Sequence, residues 1–64
     1  MNLRDYVREI GDEAFASKFN VTIRAARSYR LGERFPSREM ILKLVKKSPL
    51  TLEDIFRTPL KEKR

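Results

Sequence analysis

The chain has 64 residues and a net charge of +6, with neither cysteine nor histidine. This length makes one domain at most, and the composition excludes a disulfide framework or a zinc site of the usual Cys/His kind. No apolar run approaches the roughly 18 residues that cross a bilayer, and no signal peptide follows Met1, so the expected setting is a reducing cytoplasm.

Leu3, Tyr6, Val7 and Ile10 sit at the i, i+3, i+4, i+7 spacing of an amphipathic helix, with Arg4, Asp5, Arg8 and Glu9 on the other face. Asn2 can cap its start and Gly11 can end it. A second, shorter helix is predicted over Ala14 to Phe19, with Phe15, Ala16 and Phe19 on one side. Asp12 suits an N-cap or a first-turn acid. Asn20 follows the last apolar residue and tolerates the left-handed conformation that closes a helix.

Thr22 caps a third helix, with Val21 and Ala26 at the spacing of a hydrophobic staple. Ala26 and Tyr29 point toward the core. Arg24, Arg27, Ser28 and Leu31 form an i, i+3, i+4, i+7 set pointing the other way, and Gly32 stops the helix. Arg34-Phe35-Pro36 is a turn. Ser37 caps a fourth helix whose apolar residues are Met40, Ile41, Leu44 and Val45. Lys46 and Lys47 complement its dipole, and Ser48-Pro49 breaks it.

Thr51 to Asp54 has the [ST]-x-x-[DE] spacing of a capping box, with Leu50 and Ile55 placed to staple it. Leu52, Ile55 and Phe56 then form an apolar stripe on a helix of under two turns. The domain is expected over 1–56 and a basic flexible tail over 57–64. A strand over 40–45 is a weaker alternative, because no Asn-Gly or Asp-Gly hairpin turn accompanies it.

The charge is concentrated. Between Thr22 and Arg38 stand five arginines and one acid, Glu33, so this quarter of the chain carries +4 of the total +6. That is the pattern of a nucleic-acid footprint, although a solvated basic face gives the same count. Catalysis has little to draw on: there is no histidine, cysteine or Gly-rich phosphate loop, and the acids at 12–13 and 53–54 stand at helix starts. No enzyme activity, cofactor, metal or small-molecule substrate is expected.

Two short helices joined across Asn20-Val21-Thr22 present the second one outward, in a shape that fits the major groove. On these residues the chain resembles the phage Cro and lambda-repressor family of helix-turn-helix regulators. "LRDYVREIGDEAFASKFNV" is similar without a gap to the opening of the Cro type. The shared features are Leu3, a basic residue at 4, Asp5, Tyr6, Gly11, Ala16 and Val21. "RFPSREMILKLVKKSPLTLEDIF" resembles the all-helical repressor type, in which a Pro-Ser pair opens helix 4.

The resemblance implies an all-α fold of five helices with the helix-turn-helix at helices 2 and 3. It also implies a homodimer repressing transcription from a roughly palindromic double-stranded DNA operator, in a phage or prophage setting inside a bacterial host. The family's base-reading positions fall on Thr22, Ile23, Arg24, Arg27 and Ser28, with Leu31 at the end of the contact face.

Arg24 and Arg27 carry planar forks that can bond guanine bidentately. Ile23 can pack on a thymine methyl or inside the domain. Thr22 and Ser28 can bond a phosphate or a base. Arg30, further round the helix, and Arg34 and Arg38 are placed for the DNA backbone. Leu50, Leu52, Ile55 and Phe56 are expected at the dimer interface or closing the domain's own core.

Three positions, at two places, depart from the family pattern. Asn20 stands in place of the usual turn glycine. Asp12 and Glu13 stand where relatives often set Gln or Thr against a phosphate, so either this end of helix 2 avoids DNA or Asp12 only caps. Other readings of the residues are a protein-binding adaptor or antitoxin-like module, a nonspecific RNA or nucleoid binder, and a β-hairpin after helix 3.

Overall fold

The computed structural model describes residues 1–60. It is all-helical: α1 Leu3–Ile10, α2 Asp12–Phe19, α3 Ile23–Leu31, α4 Arg38–Lys47 and α5 Leu52–Phe56. Among the described residues there is no strand, so 38–56 holds α4 and α5 and not a hairpin.

Local chemistry sets most boundaries. Asn2 accepts from the Asp5 N–H, Thr22 from Ala25 and Ser37 from Met40, each satisfying a donor that its helix start leaves without an intrahelical partner. Thr51 and Asp54 complete a reciprocal capping box on α5. Gly11, at φ 93 and ψ 153, both ends α1 and precedes α2, in backbone space that only glycine enters readily. α2 therefore begins at Asp12, two residues before the expected Ala14. Asp12 is a first-turn acid and not the N-cap.

The ends of α2 and α3 share one closure. Asn20 and Gly32 are both left-handed, at φ 56 and φ 75. The next residue in each case donates back into the helix, Val21 to the Ala16 carbonyl and Glu33 to the Ser28 carbonyl. This six-to-one bond satisfies a terminal carbonyl as the chain reverses.

The core collects the apolar stripe of every helix: Leu3, Tyr6 and Val7 from α1; Phe15, Ala16 and Phe19 from α2; Ala26 and Tyr29 from α3. Met40 and Leu44 of α4, with Leu50 and Ile55, close it. Phe15 is its centre, edge-on to Tyr6 at 6.2 Å and Tyr29 at 5.9 Å, and 4.6 Å from Phe19. Burying such a ring contributes about 1.5–3 kcal/mol. α3 packs on both α1 and α2, which fixes its inner face and leaves the other outward.

Three expectations change. Val45 is exposed and not part of the core side of α4. Leu50 and Ile55 are buried in the domain's own core, so they have almost no surface to offer a partner. Residues 57–60 are not simply a tail: Thr58 is buried and accepts from the Leu3 N–H at 2.9 Å, and the Pro59 carbonyl accepts from Arg4. The remainder of the expected tail, 61–64, lies outside the described residues.

Candidate nucleic-acid interface

The outward face of α3 is held by what lies beneath it. Ala26 has no exposed surface and Tyr29 little, so helical periodicity turns Thr22, Ile23, Arg24 and Arg27 to solvent. Ile23 is 53% exposed, which decides against packing inside the domain. Ser28 and Leu31 are half-buried at the margin of the same face. Thr22 caps α3 through its hydroxyl and is otherwise exposed.

The described ion pairs are Arg8 with Asp5, Arg30 with Asp12 and Arg57 with Glu53, so no carboxylate neutralises Arg24 or Arg27 among the described residues. Two exposed guanidinium groups share one face of a helix with an exposed isoleucine. Such a surface can bond paired acceptors and cover a methyl group at the same time. Arg34 and Arg38, in the loop and at the start of α4, are exposed as well.

Arg30 behaves differently. Its Nε donates to Asp12 Oδ1 at 2.9 Å, across the α2–α3 junction. Its side chain is 34% exposed and that of Asp12 22%, whereas both other ion pairs lie in open solvent. The Asp12 hydrogen bond, and then its charge, raise the Arg30 pKa above the ordinary arginine value, with burial acting weakly the other way. An open cleft beside this pair is lined by Arg8, Gly11, Glu13 and the pair itself.

The backbone of Arg30 is engaged too. Arg4 donates its Nε to the Arg30 carbonyl at 3.3 Å and its Nη1 to the Pro59 carbonyl at 3.1 Å. A cation at the end of α3 complements the helix dipole. Arg4 thus joins α1, the end of α3 and the C-terminal segment. Its sequence position, among the polar residues of α1, gave no sign of this role.

A second surface lies on α4 and α5. Leu52 is 52% exposed and Phe56 63% exposed, one turn apart on α5. The Phe56 ring lies 5.6 Å from that of Phe35, and Leu52 borders a groove lined by Leu42 and Val45 with Lys43 and Lys46. Of the residues expected at a dimer interface, Leu52 and Phe56 are available. Phe35, Leu42 and Val45 adjoin them and were not among the residues expected on that surface.

No helix among the described residues is long and apolar enough to cross a membrane. Comparison with known protein families, curated proteins and solved structures gives no match.

Proposed function

We propose that this protein is a sequence-specific DNA-binding repressor of the Cro type, which reads a roughly palindromic operator as a homodimer. The observation that carries this reading is the outer face of α3. Arg24, Arg27 and Ile23 are exposed on a helix whose opposite side, Ala26 and Tyr29, is locked into the core. The α2–turn–α3 unit acts as a helix-turn-helix of the lambda-repressor kind, with α3 in the major groove. Arg24 and Arg27 bond guanine edges, each good pair giving about 1–3 kcal/mol of discrimination, and Ile23 covers a thymine methyl. Arg34 and Arg38 contact phosphates and set register.

Dimerisation uses Leu52 and Phe56, extended by Phe35. Two copies then present their recognition helices about 34 Å apart, one turn of duplex. Selection of bound sequences from a random duplex pool, followed by titration at several salt concentrations, tests the reading. A symmetric preferred site and a steep salt slope are expected. Failure to prefer any duplex over random DNA at physiological salt would sink it.

The exposed apolar face of α4 and α5 favours a second reading, a protein-binding adaptor or antitoxin-like module. That reading expects Leu52→Lys and Phe56→Lys to abolish function while Arg24→Ala and Arg27→Ala leave it intact.

A further inference from the structure

Asp12 sits where a DNA-binding surface should least want an acid. The start of a helix carries partial positive charge and free N–H groups, and it ordinarily attracts anions such as phosphate. Here the first turn of α2 holds two carboxylates, Asp12 and Glu13, and no side chain caps it. The carboxylates are not equivalent. Glu13 is exposed, while Asp12 is half-buried and bonded at 2.9 Å to Arg30.

We infer that Asp12 limits the protein's affinity for DNA by holding the Arg30 guanidinium in an intramolecular ion pair, away from the phosphate backbone. The inference rests on the DNA-binding reading and deepens it. An arginine neutralised by a neighbouring carboxylate releases few counterions from DNA, so it adds little to the nonspecific, salt-dependent part of binding. Arg24 and Arg27, which no carboxylate holds among the described residues, retain theirs. The result favours discrimination. The charges aimed at bases stay active, and a charge that would bind any duplex is quenched.

The geometry sets the restraint at one atom pair. Arg30 also receives the Arg4 hydrogen bond on its carbonyl, so its backbone is fixed and only its side chain can swing. Asparagine at 12 keeps the shape and an acceptor oxygen but removes the charge, and the guanidinium then has a phosphate as its best partner.

The test compares Asp12→Asn, Glu13→Gln, Arg30→Gln and the double variant Asp12→Asn/Arg30→Gln in the full chain. Binding to random duplex is titrated between about 50 and 200 mM salt, with circular dichroism confirming the helical fold. Asp12→Asn should steepen the salt slope by about 0.9, one phosphate contact, which changes its affinity relative to the parent roughly threefold across that range. Arg30→Gln should leave the parent's slope unchanged, and the double variant should lose the gain.

Glu13→Gln separates released arginine from a mere change in net charge. An effect as large as that of Asp12→Asn would overturn the inference. So would a loss of slope on Arg30→Gln in the parent, which shows Arg30 already on the backbone and needs no Asp12 variant. Binding by the parent with no change on Asp12→Asn overturns this inference alone. Absence of duplex binding by every variant at low salt overturns the DNA reading, and this inference with it.

Discussion

The Leu3 N–H donates to the Thr58 hydroxyl at 2.9 Å, joining the first residue of α1 to the segment after α5. The same hydroxyl donates to the Asp54 carbonyl at 3.0 Å. A helix start always leaves N–H groups without intrahelical acceptors. Asn2 satisfies the N–H of Asp5, and Thr58 satisfies that of Leu3 from across the domain.

Thr58→Val keeps the shape and deletes both bonds. The Leu3 N–H is then buried without a partner, at a cost of about 1–3 kcal/mol. Thr58→Ser should recover most of it. Urea unfolding measures the difference, and equal midpoints for the valine variant and the parent would show that the bond contributes nothing. Removal of residues 57–64 should destabilise at least as much, which a dispensable tail would not do.

The helix ends make a second prediction. Gly32 is left-handed, and a Cβ there would lie 2.9 Å from Arg4 Cζ. Gly32→Ala should cost about 1–2 kcal/mol, mainly from backbone strain, because the end of the arginine can move aside. In an Arg4→Ala background the steric part disappears and the strain remains, so the two changes should couple only weakly. Asn20 is exposed and left-handed with a side chain already in place, and Asn20→Gly should stabilise by at most about 1 kcal/mol. Thermal unfolding of the four variants checks both signs.

What the sequence made legible, and what it hid, divides by distance along the chain. Asn2, Thr22, Ser37 and the Thr51–Asp54 box act within four residues, so their chemistry is readable from spacing. The left-handed Asn20 is readable for the same reason. Leu3–Thr58, Arg4–Pro59 and Arg30–Asp12 join residues far apart in sequence, and no pattern announces them. Arg30 looked like one more basic residue, and only the packing of α3 on α2 reveals its partner. The apolar stripe of α5 was visible, but its division into buried Ile55 and exposed Leu52 and Phe56 depends on which side meets α4.

That division separates stability from assembly. Ile55→Ala removes fully buried atoms from the core and should cost about 2–5 kcal/mol. Leu52→Lys and Phe56→Lys alter exposed positions, and their effect on monomer stability should stay within about 0.5 kcal/mol. Both should shift a dimer to monomer in sedimentation equilibrium. Dimers that survive both lysines would show that another face pairs the copies, whereas unfolding of the monomer by Phe56→Lys would mean the Phe35–Phe56 contact is structural.

Arg24, Arg27, Arg34 and Arg38 should fall into two classes when each is replaced by alanine. Arg24 and Arg27 extend from the face that Ala26 and Tyr29 hold outward, where they can reach base edges. Losing either should weaken operator binding by about 1–3 kcal/mol and relax preference at one base pair in each half-site, while random duplex is affected far less. Arg34 and Arg38, beyond α3, should behave as phosphate contacts. Their loss should weaken all duplexes alike and reduce the salt slope by about 1 each. Competition binding against operators mutated one base pair at a time distinguishes the classes. If all four variants lose affinity evenly with no relaxed position, the protein binds nucleic acid through charge alone, and the recognition role of α3 is excluded.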